Sequence, residues 1–220
     1  MILRVIIPVH NDENIQQVNT LLDYNKGISI DRWKEITFHI IKGDFRGRSD
    51  AMNYGSITYC DATDHVMFLH CDTKLPMDYS KNLYDYFINC TIPFCFFRLL
   101  FDTKEQLISP YIIEHFVNNS RKEPYGDQCF TMSYSFFREN GMFPNTLLLE
   151  DVIFYRKIQG RYSLDYDNHV IDSNVVTSDR RFRCKDSHIS DITFLHLFSF
   201  QTPINYIHKS TSLLLMNHLL

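Results

Sequence analysis

Four short polar clusters in this chain carry side chains that can hold a cation, an anion or a proton. In Phe68-Leu69-His70-Cys71-Asp72-Thr73-Lys74-Leu75-Pro76, an aspartate stands just past an apolar run. A carboxylate fixed there can hold Mg²⁺ or Mn²⁺, which take oxygen ligands and bind diphosphates readily. Asp72 can equally cap the turn that follows it. Arg46-Gly47-Arg48-Ser49-Asp50-Ala51-Met52-Asn53-Tyr54-Gly55 puts two arginines at a helix start. A helix dipole favours negative charge at that end. The arginines therefore suit an anionic diphosphate held jointly by guanidinium groups and helix amides; a solvated basic loop is the other reading. Leu147-Leu148-Leu149-Glu150-Asp151-Val152 brings two adjacent acids to a helix start. One of them can act as general base toward a hydroxyl, or both can simply complement the helix terminus. Pro124-Tyr125-Gly126-Asp127-Gln128 reads by itself as a turn.

The elements that must position these clusters follow from periodicity. Ile2–Val9, Ile36–Ile41, Val66–Leu69, Pro93–Phe101 and Asn168–Thr177 are apolar or β-branched runs that predict strands. Apolar residues at Ile15, Val18, Leu21 and Leu22 recur with helical spacing, and helices are also predicted at 47–59, 78–89, 111–118 and 150–158. The residues after Gln128 read as a further strand. The apolar tail from Ile189 onward has helical periodicity, and helices are expected over about 187–220. Strand and helix alternate through the first half, which predicts an α/β layered fold with a mostly parallel sheet flanked by helices. Ligands of open α/β sheets bind beyond the carboxyl ends of strands, and three of the strands end in polar clusters: Asn11-Asp12-Glu13, Asp44 to Arg48, and His70-Cys71-Asp72.

Bulk composition narrows the class. At 220 residues the chain fits one domain, with enough buried surface to stand without disulfides or a structural metal. Its 45% hydrophobic and 22% charged residues are those of a globular protein. A net charge of −4 argues against a nucleic-acid binder. The six cysteines are scattered with no C-x-x-C pair, so they are expected reduced and mostly buried. Apart from His70, the histidines show no ligand-like spacing. No run reaches the 18 apolar residues of a membrane span, and the start is too short for a signal peptide. A soluble, cytoplasmic protein is expected, with peripheral membrane contact through the aromatic tail left open. The 18 Phe and 13 Tyr fit either a core or a groove.

Taken in order, the clusters resemble one family. Pro8-Val9-His10-Asn11-Asp12-Glu13 is similar to the opening P-x-x-N-E of family 2 glycosyltransferases. Residues 47–55 resemble the G-R-A-x-Q-M-N-x-G stretch of a compact bacterial subgroup, and residues 68–76 its F-L-H-A-D-T-x-L-P. Residues 124–128 look like its P-Y-G-D-Q, and Gly141-Met142-Phe143-Pro144 through Leu149-Glu150-Asp151-Val152 like its G-G-F-P…M-E-D-V. Val176-Thr177-Ser178-Asp179-Arg180-Arg181-Phe182 is similar to its V-T-S-x-R-R-W. Each motif is weak singly; their shared order is hard to obtain by chance.

The resemblance implies a GT-A fold and a metal-dependent, inverting sugar transfer from a nucleotide-diphosphate donor to an acceptor hydroxyl. It implies that Asp72 holds Mn²⁺ or Mg²⁺, with His70 where the family has the first Asp of D-x-D. Asp151 becomes the catalytic base, with Glu150 beside it. Asn11, Glu13, Arg46, Arg48 and Asn53 line the donor nucleotide or its phosphates. Asp127, Gln128, Arg180 and Arg181 lie near the sugar, acceptor or phosphates. The family's D-x-S-x-D-x-T unit after the second strand is missing here, because Trp33 to Asp44 runs almost directly into Arg46. Asp44 is the residue placed to substitute for that unit's nucleotide-contacting Asp. Two further readings stand beside this one: a catalytically degenerate scaffold that binds a partner, favoured by the missing unit, and a nucleotidyltransferase.

Overall fold

The computed structural model describes residues 1–9, 15–28, 32–102, 114, 118–119, 123–146 and 149–179. Among them the strands are β1 (Ile2–Pro8), β2 (Glu35–Ile41), β3 (His65–Phe68), β4 (Thr73–Lys74), β5 (Phe94–Asp102), β6 (Thr131–Ser133) and β7 (Val170–Ser178). The helices are α1 (Ile15–Lys26), α2 (Arg48–Tyr59), α3 (Tyr79–Asn89), α4 (Tyr134–Glu139), α5 (Glu150–Tyr162) and α6 (Tyr166–His169), with a 3₁₀ turn at Gly126–Gln128. The sequence-based helix at 111–118 falls largely outside the described residues, and the one over 187–220 wholly so.

The strands form one sheet in the order β2-β1-β3-β6-β5-β7-β4. β1 runs parallel to β2 and β3, and β5 parallel to β7; β6 is antiparallel to both β3 and β5, and β4 to β7. Hence β1, β2, β3, β5 and β7 all point one way, and their carboxyl ends share one rim. β1 lies between β2 and β3, so the chain reverses its direction of winding there. That is the switch point at which open α/β sheets open a crevice.

The period-2 alternation of the strands sorts their side chains into two cores. Leu3, Val5 and Ile7 of β1, with Met67 and Leu69 and with Cys95, Phe97 and Leu99, meet Val18 and Leu22 of α1 and Tyr79 and Leu83 of α3. Ile6, Val66, Phe68, Phe94 and Phe96 point the other way, toward Ala51 and Met52 of α2, Phe137 of α4 and Phe154 and Tyr155 of α5. Much of the aromatic excess is therefore core: Phe68, Phe94, Phe96, Phe97, Phe130, Phe137, Phe154, Tyr79 and Tyr155 are all fully buried. Edge-to-face and tilted pairs such as Phe68–Phe143 and Phe94–Phe130 add about 0.5–1.5 kcal/mol each beyond their burial. Of the described cysteines, Cys60, Cys95 and Cys129 are buried. Among the described residues no helix is long and apolar enough to cross a membrane.

Two small features bear on the site. Gly55 lets α2 lie directly on the sheet, since a Cβ there would come within 2.7 Å of both Ile6 and Ile41. Asn25, fully buried at the end of α1, accepts from the Leu75 amide and donates to the Thr73 carbonyl. It thereby anchors β4, a two-residue strand too short to show any periodicity in the sequence.

Candidate active site

A cleft of about 590 Å³ opens at the shared carboxyl rim. Pro8 and Val9 from the end of β1, Gly43, Asp44 and Phe45 after β2, His70, Cys71 and Asp72 after β3, and Thr177 and Ser178 from β7 line it. Gly47, Arg48 and Ala51 from the start of α2 and Asp127 from the 3₁₀ turn complete it. Gly47, the N-cap of α2, has no side chain to cap the first amides, so this helix start faces the cleft uncovered by its own cap.

Arg48 is the hub of the floor. Its Nε donates to Glu150 Oε1 at 2.5 Å, its Nη1 lies 3.0 Å from His70 Nε2, and its Nη2 lies 3.9 Å from Asp151 Oδ2. Burial works against the guanidinium charge, but Asp151, Glu150 and Asp127 outweigh it and raise the Arg48 pKa above the ordinary arginine value. His70 Nδ1 in turn lies 2.5 Å from Asp127 Oδ1.

Glu150 and Asp151 stand in the first turn of α5, where the helix dipole favours carboxylates, and both are buried behind Arg48 rather than on the lining. Asp151 Oδ2 accepts the Gly126 amide at 2.5 Å and Oδ1 accepts the Val152 amide at 2.8 Å. The approach requires glycine: a Cβ on Gly126 would sit 2.9 Å from Asp151 Oδ2 and 3.2 Å from His70 Nε2. Two non-glycine residues in the left-handed region flank these groups, Cys129 just after the 3₁₀ turn and Leu149 just before the two acids. Such backbone costs on the order of 1–3 kcal/mol and concentrates at functional sites.

Asp72 lies on the lining, its Oδ1 accepting from the Thr177 hydroxyl at 3.4 Å, and that hydroxyl in turn accepts from Thr73 Oγ1 at 3.0 Å. Among the described residues no three His, Cys, Asp or Glu side chains gather as a metal cage. One carboxylate at the mouth matches how Mg²⁺ is commonly held, by one or two carboxylates with substrate phosphates and waters completing the shell. The donor set thus fits an ion that arrives with a diphosphate.

The other residues singled out in the sequence divide clearly. Asp44 and Asp127 reach the lining. Arg46 is exposed at the rim, its amide donating to Asp50. Asn53 is turned to the protein, clamping the Phe143 backbone through both its amide nitrogen and its oxygen. Gln128 is fully buried and holds the Phe97 carbonyl and the Tyr125 amide. Asn11, Glu13, Arg180 and Arg181 lie outside the described residues. Phe45 and Thr177 were not singled out as site residues by sequence reasoning. Phe45 follows Asp44 with no periodicity to mark it, although an aromatic residue in a glycine-flanked loop beside two arginines was the available signal.

No family model matches the chain, and no curated protein matches it in sequence. Solved structures do. S. aureus TarS 1-349 in complex with UDP-GlcNAc superposes with a TM-score of 0.55 at 14% identity, over 82% of this chain and 59% of that one. Glucosyl-3-phosphoglycerate synthase from Mycobacterium tuberculosis, in complex with Mn²⁺ and UDP-glucose, gives 0.54 at 10% identity, over 86% and 74%. The catalytic domain of Drosophila β1,4-galactosyltransferase 7, in complex with xylobiose, gives 0.51 at 13%, over 84% and 66%. This chain has the GT-A glycosyltransferase fold. It spans about three fifths of the TarS fragment, so the likeness concerns the shared α/β core.

Proposed function

We propose that this chain is a glycosyltransferase that moves a sugar from a nucleoside diphosphate donor to an acceptor hydroxyl, with inversion. The observation that carries the reading is the meeting of Arg48, the α2 start and Asp72 in one cleft at the carboxyl ends of the parallel strands. An anionic diphosphate is the group that such a cation, such a helix end and a metal-binding carboxylate accept together. TarS and glucosyl-3-phosphoglycerate synthase, which share the fold, were solved with UDP-sugars.

Asp72 would hold Mg²⁺ or Mn²⁺, which when bound offsets the charge on the departing diphosphate. Asp44 and Phe45 stand at the β2 end of the cleft, in place for the nucleotide's base or ribose, with Asn11 and Glu13 assigned to the donor as well. Arg46, at the rim, would meet the outer phosphate, and Arg180 and Arg181 the sugar or acceptor. Asn53 and Gln128 serve by fixing the backbone around the site.

Asp151 is the proposed base. Its two backbone hydrogen bonds use two of about four lone-pair sites, which leaves capacity for an acceptor hydroxyl. Asp127 is the second candidate, favoured by its place on the lining itself.

The testing experiment is a thermal-shift panel of UDP, GDP and their sugars, each with and without Mn²⁺, on wild type and Asp72→Asn. A metal-dependent rise for one nucleotide, lost in the variant, is the expected result. No rise across the panel sinks the donor reading and leaves the degenerate scaffold; pyrophosphate release from a nucleoside triphosphate identifies a nucleotidyltransferase instead.

A further inference from the structure

Both ring nitrogens of His70 face protein groups, and the chemistry of those groups fixes its proton. Arginine carries five N–H donors and no acceptor. Arg48 Nη1 at 3.0 Å from His70 Nε2 therefore requires a lone pair on Nε2. The ring proton then belongs on Nδ1, which lies 2.5 Å from Asp127 Oδ1, an acceptor. The other face of the same guanidinium donates to Glu150 and faces Asp151.

We propose that His70 is a positioning residue: locked as the neutral Nδ1–H tautomer by Asp127, it accepts from Arg48 and so aims the guanidinium across the cleft. The relay Asp127–His70–Arg48–Glu150 ties three walls of the cleft, the 3₁₀ turn, the end of β3 and the start of α2, to the start of α5 buried behind them. Arg48 has a fork of donors and a flexible stem, so a partner on one side and another on the opposite side are what define its direction. Without His70, the guanidinium is held only from the side of Glu150 and Asp151, with one hydrogen bond to fix it. His70 thus acts through Arg48 rather than by touching the donor. The inference rests on the transferase reading for its kinetic consequence, but the tautomer does not.

Two measurements test it. The first is the long-range ¹⁵N–¹H correlation spectrum of the imidazole rings near neutral pH, with the His70 signals identified by their loss in His70→Gln. The Nδ1–H pattern is expected in wild type. An Nε2–H or doubly protonated pattern overturns the proposal, whether or not the protein turns over any sugar.

The second is a double-mutant cycle between His70→Phe and Arg48→Met, read in kcat and KM for the donor identified by the panel above. Loss of one hydrogen bond to a charged group predicts that His70→Phe lowers kcat/KM about tenfold to hundredfold. The same change made on top of Arg48→Met should cost less than about threefold. His70→Gln, whose Oε1 can replace the Nε2 acceptor, should recover most of the loss. Equal losses in both backgrounds, or no recovery with Gln, refute action through Arg48. If no nucleotide binds wild type, the donor reading fails while the spectrum still decides the tautomer.

Discussion

Gly126→Ala is the most informative single substitution, because one methyl group enters between two residues of the proposed machinery. Gly126 is not in the positive-φ region, so alanine fits the backbone and the effect is purely steric. The new Cβ would lie 2.9 Å from Asp151 Oδ2, about half an ångström inside ordinary contact, and 3.2 Å from His70 Nε2. Neither neighbour yields easily. Asp151 is pinned by the Gly126 and Val152 amides, and His70 is held between Asp127 and Arg48. Overpacking of this kind costs about 1–3 kcal/mol. For a chain of this size that lowers Tm by roughly 2–10 °C. A 1 Å misplacement at a reacting centre costs on the order of a hundredfold in rate. A shift of half that size therefore predicts a kcat about tenfold lower. Thermal melting and steady-state transfer assays on the purified variant read the two effects separately. Wild-type values for both would falsify the packing argument. A lowered Tm with unchanged kcat would keep the packing and remove Asp151 and His70 from the machinery.

Three other outcomes are expected. Asp151→Asn should abolish turnover while leaving nucleotide binding within about twofold; if Asp127→Asn is the dead variant and Asp151→Asn is active, the base is Asp127. His65 is wedged between Trp33 and Phe87, and burial chiefly pushes its pKa down to about 4. The unfolded chain, with a histidine near 6.5, then binds more protons between those values. Stability is full above about pH 6.5 and falls by about 2–3 kcal/mol as pH drops to about 4. Urea titrations of His65→Leu should show that part of the acid slope gone, and a slope unchanged from wild type counts against the assignment. Gly55→Ala should destabilise by about 1–3 kcal/mol despite the better helix propensity of alanine, because its Cβ meets Ile6 and Ile41. An unchanged or raised Tm there means that α2 does not sit where it is described.

The long elements were legible because their burial writes a period into the sequence. β1, β2, β3, β5 and β7, with α1, α2, α3 and α5, fall within a few residues of the runs that predict them. β4 was not legible, since its two residues hold their place through Asn25 and Thr177 rather than through any pattern of their own. The six-residue α4 was missed for a related reason: Tyr134-Ser135-Phe136-Phe137-Arg138-Glu139 is as strand-like as it is helical, and the Ser133 cap decides it. Within the site, the residue types at 48 and 72 announced charge chemistry, while 70 and 127 entered only through the family resemblance, and none of the four showed which partner it would take. Arg48 and Glu150 are 102 positions apart and His70 and Asp127 are 57 apart, and no local rule links them. Asn53 and Gln128 show the converse. Amide side chains inside a motif read as ligand contacts, yet amides are equally suited to holding loops, and these two do so.

The pairing of β7 with β4 and β5 sets an order on how this protein can be made. Asp72 leaves the ribosome well before Thr177, 105 positions later, so at ordinary rates of synthesis the two are separated by about 5–20 seconds. Throughout that interval the β1–β3 half can assemble, but Thr73 and Lys74 have no strand to join. β5, rich in Phe and Leu, meanwhile presents a bare hydrogen-bonding edge to any other chain nearby. Newly made chains are thus most exposed to mutual capture just before the site exists. Substitutions that weaken β7 should consequently show first as less soluble protein per cell, and only among the survivors as altered kinetics.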